Sequence, residues 1–351
     1  MHNKSMVMAV VAMLVAGGSL LANGTKEESK AKQAQDESTV TVYATSSFCG
    51  DWGPGPKLAK NFEAKTGIKV NLVDAGSTGE MLTRLIAEKD DPVADVVMGV
   101  SDNLAPRIYD ADILASYDAP ALKAIPDFLE FDSKDRLLPY DYGNFAFVYD
   151  SEKLAPEDLP HSLDDLLDPK YAKKVILIDP RTSAVGMGLL EWTIEVYGED
   201  HWLDWWKQME PNTLTIASGW SSGYGLFTEG EAPLVISYTT SPVYHVMFDK
   251  TTRYQALIFD EGHSTTVEGL GLIKGAKHQA AGKSLIDFAL TDAQLDIAET
   301  DSMYPANASV KLPDAFDYAP KPAKSLFLDA DVLAKKQNEW LDAWEKAMGS
   351  K

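Results

Sequence analysis

The sequence predicts an α/β fold made of two lobes, on three observations. Short β-branched segments alternate with amphipathic segments, the pattern of parallel sheets covered by helices. The alternation repeats with variations in the second half of the chain, and 351 residues are enough for two such units. The apolar fraction of 45% is that of a globular protein. We therefore expect two α/β lobes, joined by long strands that cross between them.

The N-terminal segment has the order of a secretory signal peptide. Lys4 precedes an apolar run over residues 6–15, and small residues lead up to Ala22. We predict a signal peptide over 1–22, cleaved after Ala22, and a flexible polar leader over 23–38. No cysteine directly follows Ala22, so this chain offers no attachment point for a lipoprotein anchor. The expected product is a soluble periplasmic protein.

The first lobe is predicted to alternate strands and helices from its first residue. Its elements are strand 39–44, a polar Gly-rich loop over 45–55, a helix from Pro56 to Gly67, strand 68–73, a turn over 75–79 with a helix after it, and strand 95–100. In parallel sheets, ligands bind beyond the carboxyl ends of the strands. The loops over 45–55 and 99–102 are therefore the first places to look for a site.

The second half contains further strands and helices. They are strands 144–149, 175–178, 214–216, 234–237 and 269–273, a helix over 159–167, a loop over 182–186 that leads into a helix, and a C-terminal helix over 332–348. Trp202, Trp205 and Trp206 follow a helical spacing and are interpreted as packing residues. We assign residues 39–143 and 258–305 to lobe 1, and residues 144–257 and 306–351 to lobe 2.

The charge of the chain excludes some partners. A formal net charge of -21 leaves no basic surface for nucleic acid and disfavours adhesion to anionic lipid. It is compatible with a cationic ligand, although net charge relates first to solubility. The single cysteine, Cys49, excludes an intramolecular disulfide. We find no P-loop and no zinc-type spacing of Cys and His, so no metal or cofactor site is predicted.

Several blocks together resemble the periplasmic thiamine-binding proteins of ABC transporters, which are bacterial extracellular solute-binding proteins. The blocks are TVY at 41–43 with DWGPGP at 51–56, DYGNFAFVYD at 141–150, DPRTS at 179–183, GWSSGYGLF at 219–227, SYTTSPVYH at 237–245 and MYP at 303–305. The resemblance implies a type II periplasmic-binding fold with a hinge and an inter-lobe cleft. It also implies a monomeric protein without catalysis that delivers thiamine, thiamine monophosphate or thiamine diphosphate to the membrane permease.

The resemblance also indicates ligand-binding residues. The positions that match are Trp52, Ser183, Trp220, Tyr238 and Tyr244, to which we add Ser46 and Asp51 from the first loop. Aromatic faces attract a delocalised cation such as thiazolium, by roughly 0.5–2 kcal/mol per ring. Trp52 and Trp220 lie in Gly- and Ser-rich loops, where a binding role is more plausible than in a core helix.

Polar groups could hold the two ends of such a ligand. Ser183 opens a helix and could bind a phosphate or serve as an ordinary N-cap, and the sequence does not separate the two roles. Asp51, Asp141 and Asp179 are interpreted as loop acids, any of which could balance a cationic ring.

The chain departs from the family pattern at two places. Thr45-Ser46 stands where the family commonly has Tyr-Asp, and Ser302 stands where it commonly has tryptophan. A stacking ring and an anionic partner are therefore missing. Either Trp52 and Asp51 compensate, or the ligand is a relative of thiamine.

Two other functions stay open at this point. An enzyme similar to thiaminase I would use Cys49 as its nucleophile with Asp51 close by, although no activating partner is evident. A ferric-ion or other cation-binding periplasmic protein would gather Tyr238, Tyr244 and His245 around the metal.

Overall fold

The structure is a computed structural model that describes residues 37–349. The predicted signal peptide and the predicted leader up to residue 36 lie outside the described residues. Within residues 37–349, no helix combines the length and the apolar character needed to cross a bilayer.

The described chain folds as alternating strands and helices, as predicted. The strands are β1 (Thr39–Ala44), β2 (Lys69–Asp74), β3 (Val96–Ser101), β4 (Leu114–Ala115), β5 (Leu138–Asp150), β6 (Val175–Ile178), β7 (Thr213–Ala217), β8 (Leu234–Tyr238), β9 (Tyr254–Ala256), β10 (His263–Ile273), β11 (Tyr304–Pro305) and β12 (Ser325–Leu326). The α-helices are α1 (Ser46–Cys49), α2 (Pro54–Thr66), α3 (Thr78–Ala87), α4 (Ala105–Asp110), α5 (Ala184–Tyr197), α6 (Trp202–Met209), α7 (Trp220–Glu229), α8 (Ser241–Tyr244), α9 (Gln279–Leu290), α10 (Gln294–Asp301) and α11 (Ala330–Met348).

The strands pair in the order β2-β1-β3-β10-β5-β8-β6-β7. The outer strands β2, β1 and β3 run parallel, as do β7, β6 and β8 at the other end, whereas β10 and β5 are antiparallel to each other. Strand β5 changes partner along its length: Asn144 is paired with Thr265 of β10, and Phe145 is paired with Tyr238 of β8. The α/β class is therefore confirmed. The change of partner falls at the predicted lobe boundary, and the division into lobes itself stays a prediction.

One predicted helix was wrong, and two predicted strands were too short. Residues 159–167 form no α-helix and contain only a 3₁₀ turn at Asp165–Leu167. The N–H group of Leu163, which a helix would pair with Leu159 O, donates instead to Glu261 Oε1 (2.6 Å), and His161 N donates to Asp165 Oδ2 (2.8 Å). Strands β5 and β10 are longer than predicted, because both continue through polar residues that only their pairing partners stabilise.

Tryptophans form the largest part of the core around α5 and α6. Trp205 and Trp206 are buried, and the Trp206 ring meets Trp344 of α11 edge to face at 5.6 Å. Their indole N–H groups are satisfied, since Trp206 Nε1 donates to Thr193 Oγ1 (3.1 Å) and Trp205 Nε1 donates to Leu163 O (2.8 Å). The interpretation of this helix as a packing element is confirmed.

We expect Gly188→Ala to destabilise the fold. A Cβ atom at Gly188 would lie 2.0 Å from Phe145 Cε2, so α5 would have to move away from β5 at the point where that strand changes partner. Overpacking of this kind costs about 1–3 kcal/mol of unfolding free energy. Urea unfolding of the variant measures the loss.

Gly225→Ala is the matched control for that variant. Gly225 is also helical, but a Cβ atom there meets nothing within 4 Å. Alanine should then leave stability unchanged or raise it by up to about 1 kcal/mol. If both variants unfold at the same urea concentration, the packing argument is contradicted.

Candidate functional site

A cavity of about 560 Å³ lies where the carboxyl ends of the parallel strands face each other. One wall comes from the loops after β1 and β2, and the opposite wall from the loops after β6, β7 and β8. The floor contains Glu268 of β10 and the segment from Asp301 to Met303. The volume is that of a pocket for a small organic molecule.

The structure brings six of the seven sequence-predicted site residues together around this cavity. They are Ser46, Trp52, Ser183, Trp220, Tyr238 and Tyr244. Asp51 is exposed and is not among the residues that line the cavity. Ser46 is engaged within its own wall, since its Oγ donates to Asp74 Oδ1 at 2.7 Å.

Three rings meet across the cavity, and we call Trp52, Trp220 and Tyr244 the ring assembly. The centroids of Trp52 and Trp220 are 5.7 Å apart, and those of Trp52 and Tyr244 are 6.4 Å apart. Trp220 is held in place, because it stacks on Tyr224 at 5.0 Å and its Nε1 donates to Ser237 Oγ at 2.8 Å. Trp52 keeps 39% of its surface exposed. It therefore forms the rim of the cavity and not part of the core.

The neighbouring groups do not suit a ferric site. Both ring nitrogens of His245 are engaged, Nε2 with the Tyr224 hydroxyl (2.9 Å) and Nδ1 with Asp249 Oδ2 (2.8 Å). Burial lowers the pKa of His245. Tyr238 stacks on Phe145 at 5.2 Å, and burial raises the pKa of its hydroxyl, which opposes tyrosinate formation. A metal would have to displace these contacts.

Three helices begin close together at the cavity, α3 from one wall and α5 and α7 from the opposite wall. Gly79 N donates to Thr182 O (3.1 Å), and Thr182 Oγ1 donates to Ser218 O (2.7 Å), so the three starts are in contact. Helix α3 is capped by Ser77 and Glu80 as a capping box. Ser183 caps α5, and its Oγ accepts from Val185 N at 3.3 Å. Helix α7 follows Gly219 without a side-chain cap, and residues 219–222 line the cavity, so no side chain competes there with a ligand for its first N–H groups.

Three carboxyl groups meet at the floor, and we call Asp141, Glu268 and Asp301 the acid triad. One oxygen from each lies within 4.8 Å of the others, because Asp141 of β5 is paired with Glu268 of β10 and with Pro305 of β11. Tyr140 OH donates to Glu268 Oε2 at 2.7 Å. Burial raises the pKa of Asp301 to about 8, and repulsion by Glu268 adds to this effect. The triad offers acceptors for a cation or for N–H donors.

The other predicted acids and the cysteine do not build a catalytic group. Asp141 lies inside a strand and not in a loop, so that interpretation was wrong. Asp179 forms an ion pair with Arg181, at 2.6 Å between Oδ2 and Nη2, which balances its charge locally. Burial and the nearby Asp74 raise the pKa of Cys49 to about 12, so the thiol stays protonated at neutral pH. A cysteine nucleophile would need the opposite environment.

Sequence reasoning missed Glu268 and Asp301 as site residues. Glu268 lies in a part of β10 that extends beyond the predicted strand, and Asp301 ends α10. The departure at Ser302 was the only signal near them, because the approach of β10, β5 and the end of α10 is a long-range event.

We expect Asp301→Asn to stabilise the protein more at high pH than at low pH. The pKa of Asp301 is about 8 in the fold, against about 3.9 in an unfolded chain. The folded state therefore binds more protons over that interval, and its stability falls as the pH rises through it. Asparagine removes this loss, so the increase in Tm should be larger at about pH 8 than at about pH 5.

The exposed Glu157 supplies the control, as Glu157→Gln should change Tm equally at both pH values. A pH-independent effect of Asp301→Asn would show that Asp301 ionises normally in the fold.

Known proteins match this chain over most of its length. Residues 57–324 match the family described as "Bacterial extracellular solute-binding protein". A "Thiamine-binding periplasmic protein" of Brucella suis is 40% identical over 318 residues, which cover 90% of this chain and 93% of that protein. The Escherichia coli protein of the same name is 38% identical over 312 residues, or 88% and 93% of the two chains.

Solved structures agree with the fold. One titled "Periplasmic thiamin binding protein" has a TM-score of 0.82 and 37% identity, and covers 88% of this chain and 96% of that chain. The periplasmic binding protein AfuA of Actinobacillus pleuropneumoniae has a TM-score of 0.78 at 20% identity, over 89% of this chain and 99% of its own, which shows the fold alone. The type II periplasmic-binding fold is thus confirmed, and the relatives are binding proteins and not enzymes. The chain belongs to the bacterial extracellular solute-binding protein family.

Proposed function

We propose that this chain is the periplasmic solute-binding component of an ABC uptake system, and that it captures thiamine or a thiamine phosphate in the cavity. The observation that carries the proposal is the ring assembly, in which two tryptophans and a tyrosine from opposite walls meet across one cavity. Relatives at 34–40% identity that carry the name thiamine-binding periplasmic protein support it.

The charge distribution favours an organic cation. Thiazolium is a positive ring without a hydrated point charge, so electron-rich ring faces attract it without a large desolvation cost. Asp249 places a carboxylate at the cavity, and the acid triad supplies carboxyl oxygens that can accept from a ligand. A net charge of -21 adds a long-range attraction for cations.

The start of α7 suits the alcohol or phosphate end of the ligand. Glu80 accepts from Ser77 N and Ser77 Oγ, both at 2.8 Å, and these hydrogen bonds lower its pKa, so α3 already carries an anion at its start. Helix α7 has no such group, and helix N-termini bind anions through their exposed N–H groups and dipole. In this proposal Ser183 acts mainly as the cap of α5.

The proposal keeps the predicted lobes, 39–143 with 258–305 and 144–257 with 306–351, as the bodies that form the two walls. Trp52, Trp220, Tyr238 and Tyr244 are its ligand contacts, with Ser183 beside them. The proposal assigns no ligand contact to Asp51, because its carboxyl group does not line the cavity. We propose that the protein acts as a monomer and delivers its ligand to the membrane permease.

Trp52→Ala should weaken thiamine binding by about 2- to 30-fold, the range expected when one ring is removed from a cation. Because Trp52 lies on the rim, the fold should be unaffected. Isothermal titration calorimetry with thiamine measures the change, and binding should quench tryptophan fluorescence.

Trp52→Phe, which keeps a ring, should retain most of the affinity. Phe128→Ala removes another exposed ring, which lies outside the cavity, and should bind as wild type does. Wild-type protein that fails to bind thiamine or either of its phosphates would refute the proposed function.

Gly219→Asp should weaken the binding of thiamine monophosphate by about tenfold or more, with a much smaller effect on thiamine. The backbone at Gly219 is extended (φ -160°), so any residue fits, and a carboxylate there would cap α7 and repel a phosphate. Gly219→Asn is the control, since it caps the same helix without charge. If the Asp and Asn variants bind the monophosphate equally, the phosphate does not lie at α7.

A further inference from the structure

The floor of the cavity offers hydrogen-bond acceptors that the protein does not satisfy by itself. Glu268 and Asp301 line the cavity, and Asp141 lies behind them with 0% of its surface exposed. The carboxyl group of Asp141 has no partner among the described residues other than the neighbouring acid Asp301. Buried polar groups are normally hydrogen-bonded, and Asp301 is the member of this pair that lines the cavity, so it can accept from a donor that the ligand brings.

A second, separate group points the same way. Ser302 is only 4% exposed, lines the cavity, and its Oγ has no hydrogen-bond partner among the described residues. Its backbone lies in the left-handed region (φ 57°) and caps α10, with Ser302 N donating to Ala298 O at 3.0 Å. The hydroxyl is therefore held in place by the helix end. This is the position at which the resemblance expects a tryptophan.

Adjacent residues thus present a carboxylate acceptor and a hydroxyl that can donate. A 4-aminopyrimidine ring has the complementary edge, because its exocyclic amino group donates and the neighbouring ring nitrogen accepts. The thiazolium ring has no N–H group, and its alcohol or phosphate suits the helix N-termini on the wall. Of the two rings of thiamine, the aminopyrimidine is the one whose edge matches the floor.

We propose that Asp301 and Ser302 determine specificity for the aminopyrimidine, with a carboxyl oxygen of Asp301 accepting from the 4-amino group and the Ser302 hydroxyl donating to the adjacent ring nitrogen. This assignment rests on the proposed function and names which part of the ligand the floor recognises. Glu268, held by Tyr140, and Asp141 place further carboxyl oxygens behind Asp301. At position 302, where the family commonly has a stacking tryptophan, this chain would recognise the ligand by hydrogen bonds instead.

Oxythiamine tests the proposal, because it replaces the 4-amino donor by a carbonyl acceptor, converts the adjacent ring nitrogen from an acceptor into an N–H donor, and keeps the thiazolium charge. Calorimetry on the wild type should give about tenfold weaker binding of oxythiamine than of thiamine, as expected when a buried acceptor loses its donor. Asp301→Asn supplies an amide that donates to the carbonyl, so the ratio of the two affinities should shrink or invert. Ser302→Ala should weaken both ligands.

Asp249→Asn is the matched control, since it removes a charge that also lines the cavity but is paired with His245. Both ligands carry the same charge, so their affinity ratio should stay at the wild-type value. Thermal unfolding of each variant verifies the fold.

The outcomes separate the two proposals. If wild type binds neither ligand, the proposed function fails. If it binds thiamine and oxythiamine equally, or if Asp301→Asn keeps the wild-type affinity ratio, the floor does not recognise the 4-amino group. This inference then fails, while the proposed function is unaffected. Thiamine binding that disappears with EDTA and returns with calcium would assign the acid triad to a metal ion and would also overturn the inference.

Discussion

The antiparallel pairing of β5 with β10 is the constraint on which the site depends. This pair forms the centre of the sheet, and each wall of the cavity is attached to one side of it. The pairing sets Glu268 opposite Asp141, and a few residues later β5 leaves β10 and pairs Phe145 with Tyr238. One continuous strand therefore fixes the floor and positions a ring of the opposite wall. The tryptophans at the rim depend on loops that this central pair holds at the correct distance.

Local signals in the sequence were sufficient for the fold class and for most of the cavity lining. Trp52 and Trp220 stand out because each follows a strand in a Gly-rich stretch of the sequence. The loop interpretation was right for Trp52, whereas Trp220 is the first residue of α7 and stacks on Tyr224. The prediction failed for residues 159–167, since hydrogen bonds from His161 and to Glu261 compete with the helix. Glu268 and Asp301 were missed because only long-range strand pairing brings carboxyls 33 positions apart in the chain to within 4.8 Å.

The polar groups of the cavity are separated by type. Acceptors concentrate at the floor, where the acid triad lies, and N–H donors concentrate at the start of α7 on the wall. The ring assembly lies across the same cavity. Such a cavity suits an elongated molecule with an N–H-bearing ring at one end, a delocalised cation in the middle and an oxygen-bearing group at the other end. The same polarity discriminates against a bare metal ion, which would use the acids and leave the rings unoccupied.

The left-handed backbone of Ser302 restricts how this pocket could evolve. A large aromatic side chain is disfavoured in that conformation by about 1–2 kcal/mol, and relieving the strain would require the cap of α10 to unwind. Ser302→Trp would therefore strain the end of α10 as well as fill the floor. Asp301, whose backbone is not left-handed, can be exchanged without that strain, so the hydrogen-bonding character of the floor can change there at lower cost.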